Sequence, residues 1–137
     1  MGVPYLGPAP ASADDMVDKE YADAATAKTT ISFTVDQASV GAGVARWYTD
    51  RSRTISNIVA SAGVAPVGAS LIFDVNINGT TAFTTQGNRP TLAAGTFYDG
   101  SSVPDITNMV AGDYLTIDFD QVGSSVPGSG IVITIIF

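Results

Sequence analysis

The sequence predicts an all-β protein: an antiparallel β-sandwich, jelly-roll-like, with about eight strands behind a short N-terminal arm. Three observations predict it. From Thr29 onward, short segments of alternating apolar and polar residues are separated by stretches rich in Gly, Pro and Ser. Asn78-Gly79 falls between two such segments and supplies the left-handed backbone positions of a tight hairpin turn. Helix candidates are scarce after position 28. The chain therefore divides into an arm with a short acidic helix over 1–28 and a β-sandwich domain over 29–137. An immunoglobulin-like sandwich fits the same alternation, because strand order is not written in it.

The arm carries PASADDMVDKEYADA at residues 10–24. Ser12 can cap a helix, and Asp15 takes the place of the capping-box glutamate. Asp14, Asp15 and Asp18 lie near the positive end of the helix dipole. Val17, Tyr21 and Ala24/Ala25 form a narrow apolar stripe. A helix this short and this weakly amphipathic is marginal alone and needs a surface.

In the β domain, Thr29 to Val35 places Ile31, Phe33 and Val35 on one face. Val44 to Tyr48 reads as a second strand and Thr54 to Ala60 as a third. Ser70 to Thr84 reads as a hairpin: Leu71, Phe73, Val75 and Ile77 share a face, and Thr80 to Thr84 returns. Leu92 to Tyr98 is a further strand or irregular edge, bent at Gly95. Gly100 to Gly112 reads as loop. Tyr114 to Asp120 points Leu115, Ile117 and Phe119 inward. The run 131–137 is apolar on both faces, which marks a central strand or an edge covered by a partner; it is too short for a membrane helix. The N-terminus shows no basic region followed by a long apolar run.

Composition narrows the chemistry. There is no cysteine and no histidine, which removes disulfides, thiolate metal sites and the usual neutral-pH base. The formal charge is −7, from 13 acids and 6 bases, a balance that repels nucleic-acid phosphates. Asp118 and Asp120, with Asp74 or Asp113, offer oxygen ligands for calcium, but alternating acids on a solvated strand face are ordinary. No metal site, cofactor or catalytic residue is assigned, and no enzyme activity is expected. Arg89 is expected to pair with an acid such as Asp74 or Asp113. Arg46, Trp47, Tyr48, Arg51 and Arg53 combine aromatic and guanidinium groups of the kind that anchor contacts. The simplest reading turns Trp47 to the core and Arg46 and Tyr48 outward.

Residues 10–24 resemble a segment of tailed-bacteriophage virion proteins, with Asp14, Asp15, Lys19, Tyr21, Asp23 and Ala24 at the matching positions and Asp18 where threonine is usual. Residues 54–85, 88–95 and 111–130 resemble a β-rich module of phage fibre, minor tail and other virion surface proteins. The resemblance implies a structural protein without catalytic residues. One arm and one β domain suit a head decoration protein better than a tail fibre with its long shaft. The implied partner is the major capsid protein, bound on the outer capsid surface of the virion after assembly in the host cytoplasm. Homo-oligomers, trimers among them, fit such sites; nucleic acid and membrane are not expected partners. Val17, Glu20, Tyr21 and Ala24 are the expected capsid- or oligomer-binding residues. The alternative is a tail-fibre or baseplate-associated module binding a host-surface glycan through Trp47, Tyr48, Arg51 and Arg53 or loop 98–108. An unrelated β-sandwich binding domain is the third reading.

Overall fold

The computed structural model describes residues 29–137. Val17, Glu20, Tyr21 and Ala24, with the expected arm helix, lie outside the described residues. The strands in chain order are β1 (Thr30–Gln37), β2 (Gly41–Tyr48), β3 (Arg53–Thr54), β4 (Asn57–Ser61), β5 (Leu71–Ile77), β6 (Thr80–Thr81), β7 (Thr91–Leu92), β8 (Tyr98–Ser102), β9 (Asn108–Met109), β10 (Tyr114–Gln121) and β11 (Ser129–Ile136). One sheet has the order β1-β11-β4-β8. The other has the order β2-β10-β5-β6, with β7 also pairing along β5. β3 and β9 form a small separate ribbon. All pairings are antiparallel.

The period-2 pattern sets the core. β5 sends Leu71, Phe73, Val75 and Ile77 inward, β10 sends Leu115, Ile117 and Phe119, and β11 sends Ile131, Ile133 and Ile135; all are buried. Phe73 meets Phe119 edge to face with ring centroids 5.2 Å apart, the geometry that aromatic quadrupoles favour. β11 lies between β1 and β4, so its apolar run is that of a central strand. The β1 and β2 edges close the interior less completely. Ile31, Phe33, Val35, Ala45 and Trp47 are only partly buried there.

Several expected strands are corrected. The return over Thr80 to Thr84 is a strand only at Thr80–Thr81: Ala82 keeps one bond to β5, from its N–H to Val75 O, and Ala82 and Phe83 then sink fully into the core. The expected strand 54–60 is two pieces, β3 and β4; between them Ile55 is buried, and its N–H bonds the Thr107 carbonyl. Leu92 to Tyr98 is mostly a turn: Gly95 has φ +82° and Thr96 N–H bonds the Ala93 carbonyl. The regular strand begins only at Tyr98, the last residue of that segment, and runs to Ser102, into the stretch from Gly100 that reads as loop.

Two irregularities re-aim side chains, as bulges do. β2 bulges opposite Asp118, between the pairs Ala45–Ile117 and Gly41–Phe119. Gly43 takes φ +64° in this bulge, and its N–H donates to Asp118 Oδ1 at 2.7 Å. β10 bulges at Asp120, between the pairs Phe119–Phe73 and Gln121–Ile72. There the Asp120 carboxylate receives Arg89. Arg89 therefore pairs with neither Asp74 nor Asp113.

Candidate functional site

Four connections come together at one end of the sandwich: 38–40, 62–70, 93–97 and 122–128. Backbone hydrogen bonds tie them in series. Ala38 N–H donates to Gly128 O at 2.9 Å and Val67 N–H to Val126 O at 2.9 Å. Gly95 N–H donates to Pro66 O at 2.7 Å and Ala62 N–H to Phe97 O at 2.9 Å. None of these four segments contains Asp, Glu, Lys or Arg. Yet Val40, Val64, Val67, Phe97 and Val126 are left exposed on them, from 37% at Val126 to 66% at Val40. The nearest charges sit beside them, at Asp36 of β1, Asp99 of β8 and Asp120 of β10, the last paired with Arg89. An uncharged apolar centre with charge confined to its edge is the layout of an interaction surface. Its hydrogen-bonded backbone leaves little ordering entropy to lose on docking.

The opposite end is built differently. Thr49 N–H bonds Asp113 O, Gly112 N–H bonds Thr49 O, and Asp105 N–H bonds Ala82 O. Asp50, Arg51, Arg53, Asp105 and Asp113 all lie here. Arg51 and Arg53 both pair with Asp50, at 3.0 and 3.1 Å. These two guanidinium groups hold the Asp50 carboxyl at about 2, below the ordinary 3.8. Asp105 is lowered by the Thr85 backbone N–H, and Asp113 by the Asn78 side chain.

The sequence-predicted contact residues separate into two groups. Trp47 turns inward as expected, to 5.5 Å from the Phe137 ring. Arg53 covers both rings, its guanidinium 5.5 Å from the Trp47 centroid and 5.2 Å from that of Phe137. Its side chain is 13% exposed and also donates to Thr49 Oγ1 at 3.1 Å, so Arg53 serves the fold as a cover over aromatic surface. Arg51 stays exposed beside Asp50. Arg46 and Tyr48 lie on the outer face of the sheet, where Arg46 stacks on Tyr114 at 4.8 Å. These residues do not form one contact surface. Loop 98–108 is partly β8, whose Asp99 accepts Thr91 N–H and the Ser102 hydroxyl.

Of the acids weighed for calcium, Asp74 and Asp118 face each other across β5 and β10, but each acid is engaged by its own partner. Asp74 accepts the Thr81 hydroxyl, Asp113 the Asn78 amide, Asp118 the Asn76 amide, and Asp120 binds Arg89. Among the described residues, no group of three or more His, Cys, Asp or Glu is placed to hold a metal. Burial raises the Asp74 carboxyl above its ordinary value.

These directions set the acid response. Asp50, Asp105 and Asp113 have depressed folded values, so their stabilisation is complete above the unfolded value and is lost as pH falls through the folded one. Asp74 opposes them, since its folded form takes up a proton first. Melting temperature is expected to fall between about pH 4 and pH 2, and to fall less in Asp50→Asn. The effect is small because the pair is exposed. Identical slopes for the two proteins would remove Asp50 from this account.

The apolar end escaped the sequence reading because its residues come from four separated connections. The signal available was the absence of charge in all four. No protein-family model matches the sequence, and a search of curated proteins returns no match.

Proposed function

We propose that the chain is a non-enzymatic structural protein of a tailed bacteriophage, a decoration protein that seats on the outer surface of the major capsid protein lattice and stabilises the head. The observation that carries this reading is the uncharged end with Val40, Val64, Val67, Phe97 and Val126 exposed and Asp36 and Asp99 at its edge. Apolar contact at the centre and acids at the edge fit a partner surface with an apolar centre and basic surroundings. A second copy meeting end to end would bring like-charged rims together, so this end faces the shell and any homo-oligomer uses another surface. Many copies across capsomer boundaries add modest contacts into a large total through avidity.

Strand order supports the finer fold reading. Counting β6 and β7 as one position along β5, and leaving aside the β3–β9 ribbon, one sheet runs first-eighth-third-sixth and the other second-seventh-fourth-fifth. That interleaving is the order expected of a jelly roll, a fold that recurs in viral capsid and lectin domains. The fold alone does not select a role; the end surface and the resemblance to virion proteins support this one.

Imaging of virions that carry this chain tests the reading. The expected density is one β domain repeated over the capsid faces, with the 62–70 and 93–97 connections toward the shell. Density at the tail only, or the opposite end toward the shell, would overturn it.

A further inference from the structure

We propose that the outer face of the β2–β10–β5 sheet binds a carbohydrate, in a groove between Arg46, Tyr114, Thr116, Asn76 and Asp118. This site is separate from the shell-facing end, and it can stand or fall without it.

The groove has a volume of about 330 Å³ and opens to solvent. The β2 bulge forms one wall, where Ala42 and Gly43 stand away from β10. The floor is unusually polar for buried surface: Asn76 is 8% and Thr116 6% exposed, although both point away from the core. Asp118 is held by two donors, Gly43 N–H at 2.7 Å and Asn76 Nδ2 at 2.8 Å. Each carboxylate oxygen retains acceptor capacity beyond one such bond.

Arg46 sets this groove apart. Arg51, Arg53 and Arg89 each pair with an acid. Among the described residues Arg46 has no such partner. Its guanidinium lies over the Tyr114 ring at 4.8 Å and makes only a long 3.4 Å bond to the Tyr48 hydroxyl, so most of its five N–H donors remain available. Among the described residues the Thr116 hydroxyl also lacks a hydrogen-bond partner, while lining the same groove.

These groups match a sugar better than an anion. A sugar's adjacent hydroxyls donate and accept together. Arg46 donates, Asp118 accepts, and Thr116 does both. Tyr114 also lines the groove, and Arg46 lies over its ring, which fixes the guanidinium beside the sugar hydroxyls. A phosphate or carboxylate would gain Arg46 but meet the fixed Asp118 charge. A few placed polar groups on a rigid sheet are what orient a small ligand.

The test is an amide-shift titration of the full chain with galactose, glucose, mannose, rhamnose and N-acetylglucosamine, and with inorganic phosphate as the anion probe. At least one sugar is expected to shift Gly43, Asn76, Thr116 and Asp118 saturably, with phosphate leaving them in place. Arg46→Ala should weaken that sugar by at least about tenfold, while Tyr98→Ala, on the far edge of the other sheet, leaves it unchanged. Arg46 is exposed, so its removal spares the fold. A panel that shifts none of these amides, shifts from phosphate alone, or unchanged binding by Arg46→Ala would overturn the proposal.

Discussion

Replacing Phe73 with alanine is expected to lower the unfolding free energy by about 3–5 kcal/mol. Phe73 is fully buried at the centre of β5 and contacts Phe119 of β10 edge to face. Its removal loses the transfer free energy of a large side chain and leaves a cavity. The surroundings cannot collapse freely into that space. β5 is fixed by β10 on one side and by β6 and β7 on the other, so the backbone is pinned on both edges. A domain of this size holds roughly 5–15 kcal/mol in total, so the variant should approach the limit of folding. Urea denaturation reads the effect as a lower midpoint with an unchanged slope. Phe97→Ala supplies the comparison: the same residue type, exposed on the 93–97 connection, should change stability by no more than about 0.5 kcal/mol. Equal losses at the two positions would mean that Phe73 does not sit at the core's centre.

Phe73 also marks what was legible in the sequence. Its neighbours Leu71, Val75 and Ile77 alternate with Ile72, Asp74 and Asn76, and the period-2 rule assigns each side correctly. The same holds for Leu115, Ile117 and Phe119. Alternation fails where the chain stops being a regular strand. Ala82 and Phe83 continue the pattern of a hairpin return, yet the core claims them and the strand ends at Thr81. Bulges are equally silent in sequence, and here they position Asp118 and Asp120. Arg89 was expected to find an acid across its loop; the partner is Asp120, which the β10 bulge turns toward it. The candidate surfaces were harder still. Arg46 and Tyr48 were visible as contact types, but Tyr114 and Thr116 join them only through the β2–β10 register. Segment composition can reveal missing charge, but which segments share an end depends on topology.

That shared end gives the second large effect. Under the proposed capsid role, Val67→Asp combined with Phe97→Asp is expected to weaken binding to capsid shells lacking this chain by at least about 100-fold. Both side chains are exposed, at 45% and 57%, so the substitutions should leave the melting temperature close to that of the parent. In the bound state each aspartate would be desolvated against an apolar surface without a partner, a cost greater than the lost contact alone. Charge itself is not the cause being tested, and Val110→Asp controls for it. Val110 is 59% exposed on the opposite end, and adding an acid there should leave affinity nearly unchanged apart from weak long-range effects that salt screens. Removing residues 1–27 separately measures the share carried by Val17, Glu20, Tyr21 and Ala24. If the double variant binds like the parent, or Val110→Asp costs as much, the uncharged end is not the docking face. If only the arm deletion abolishes binding, attachment belongs to the arm and the exposed valines and Phe97 serve another partner.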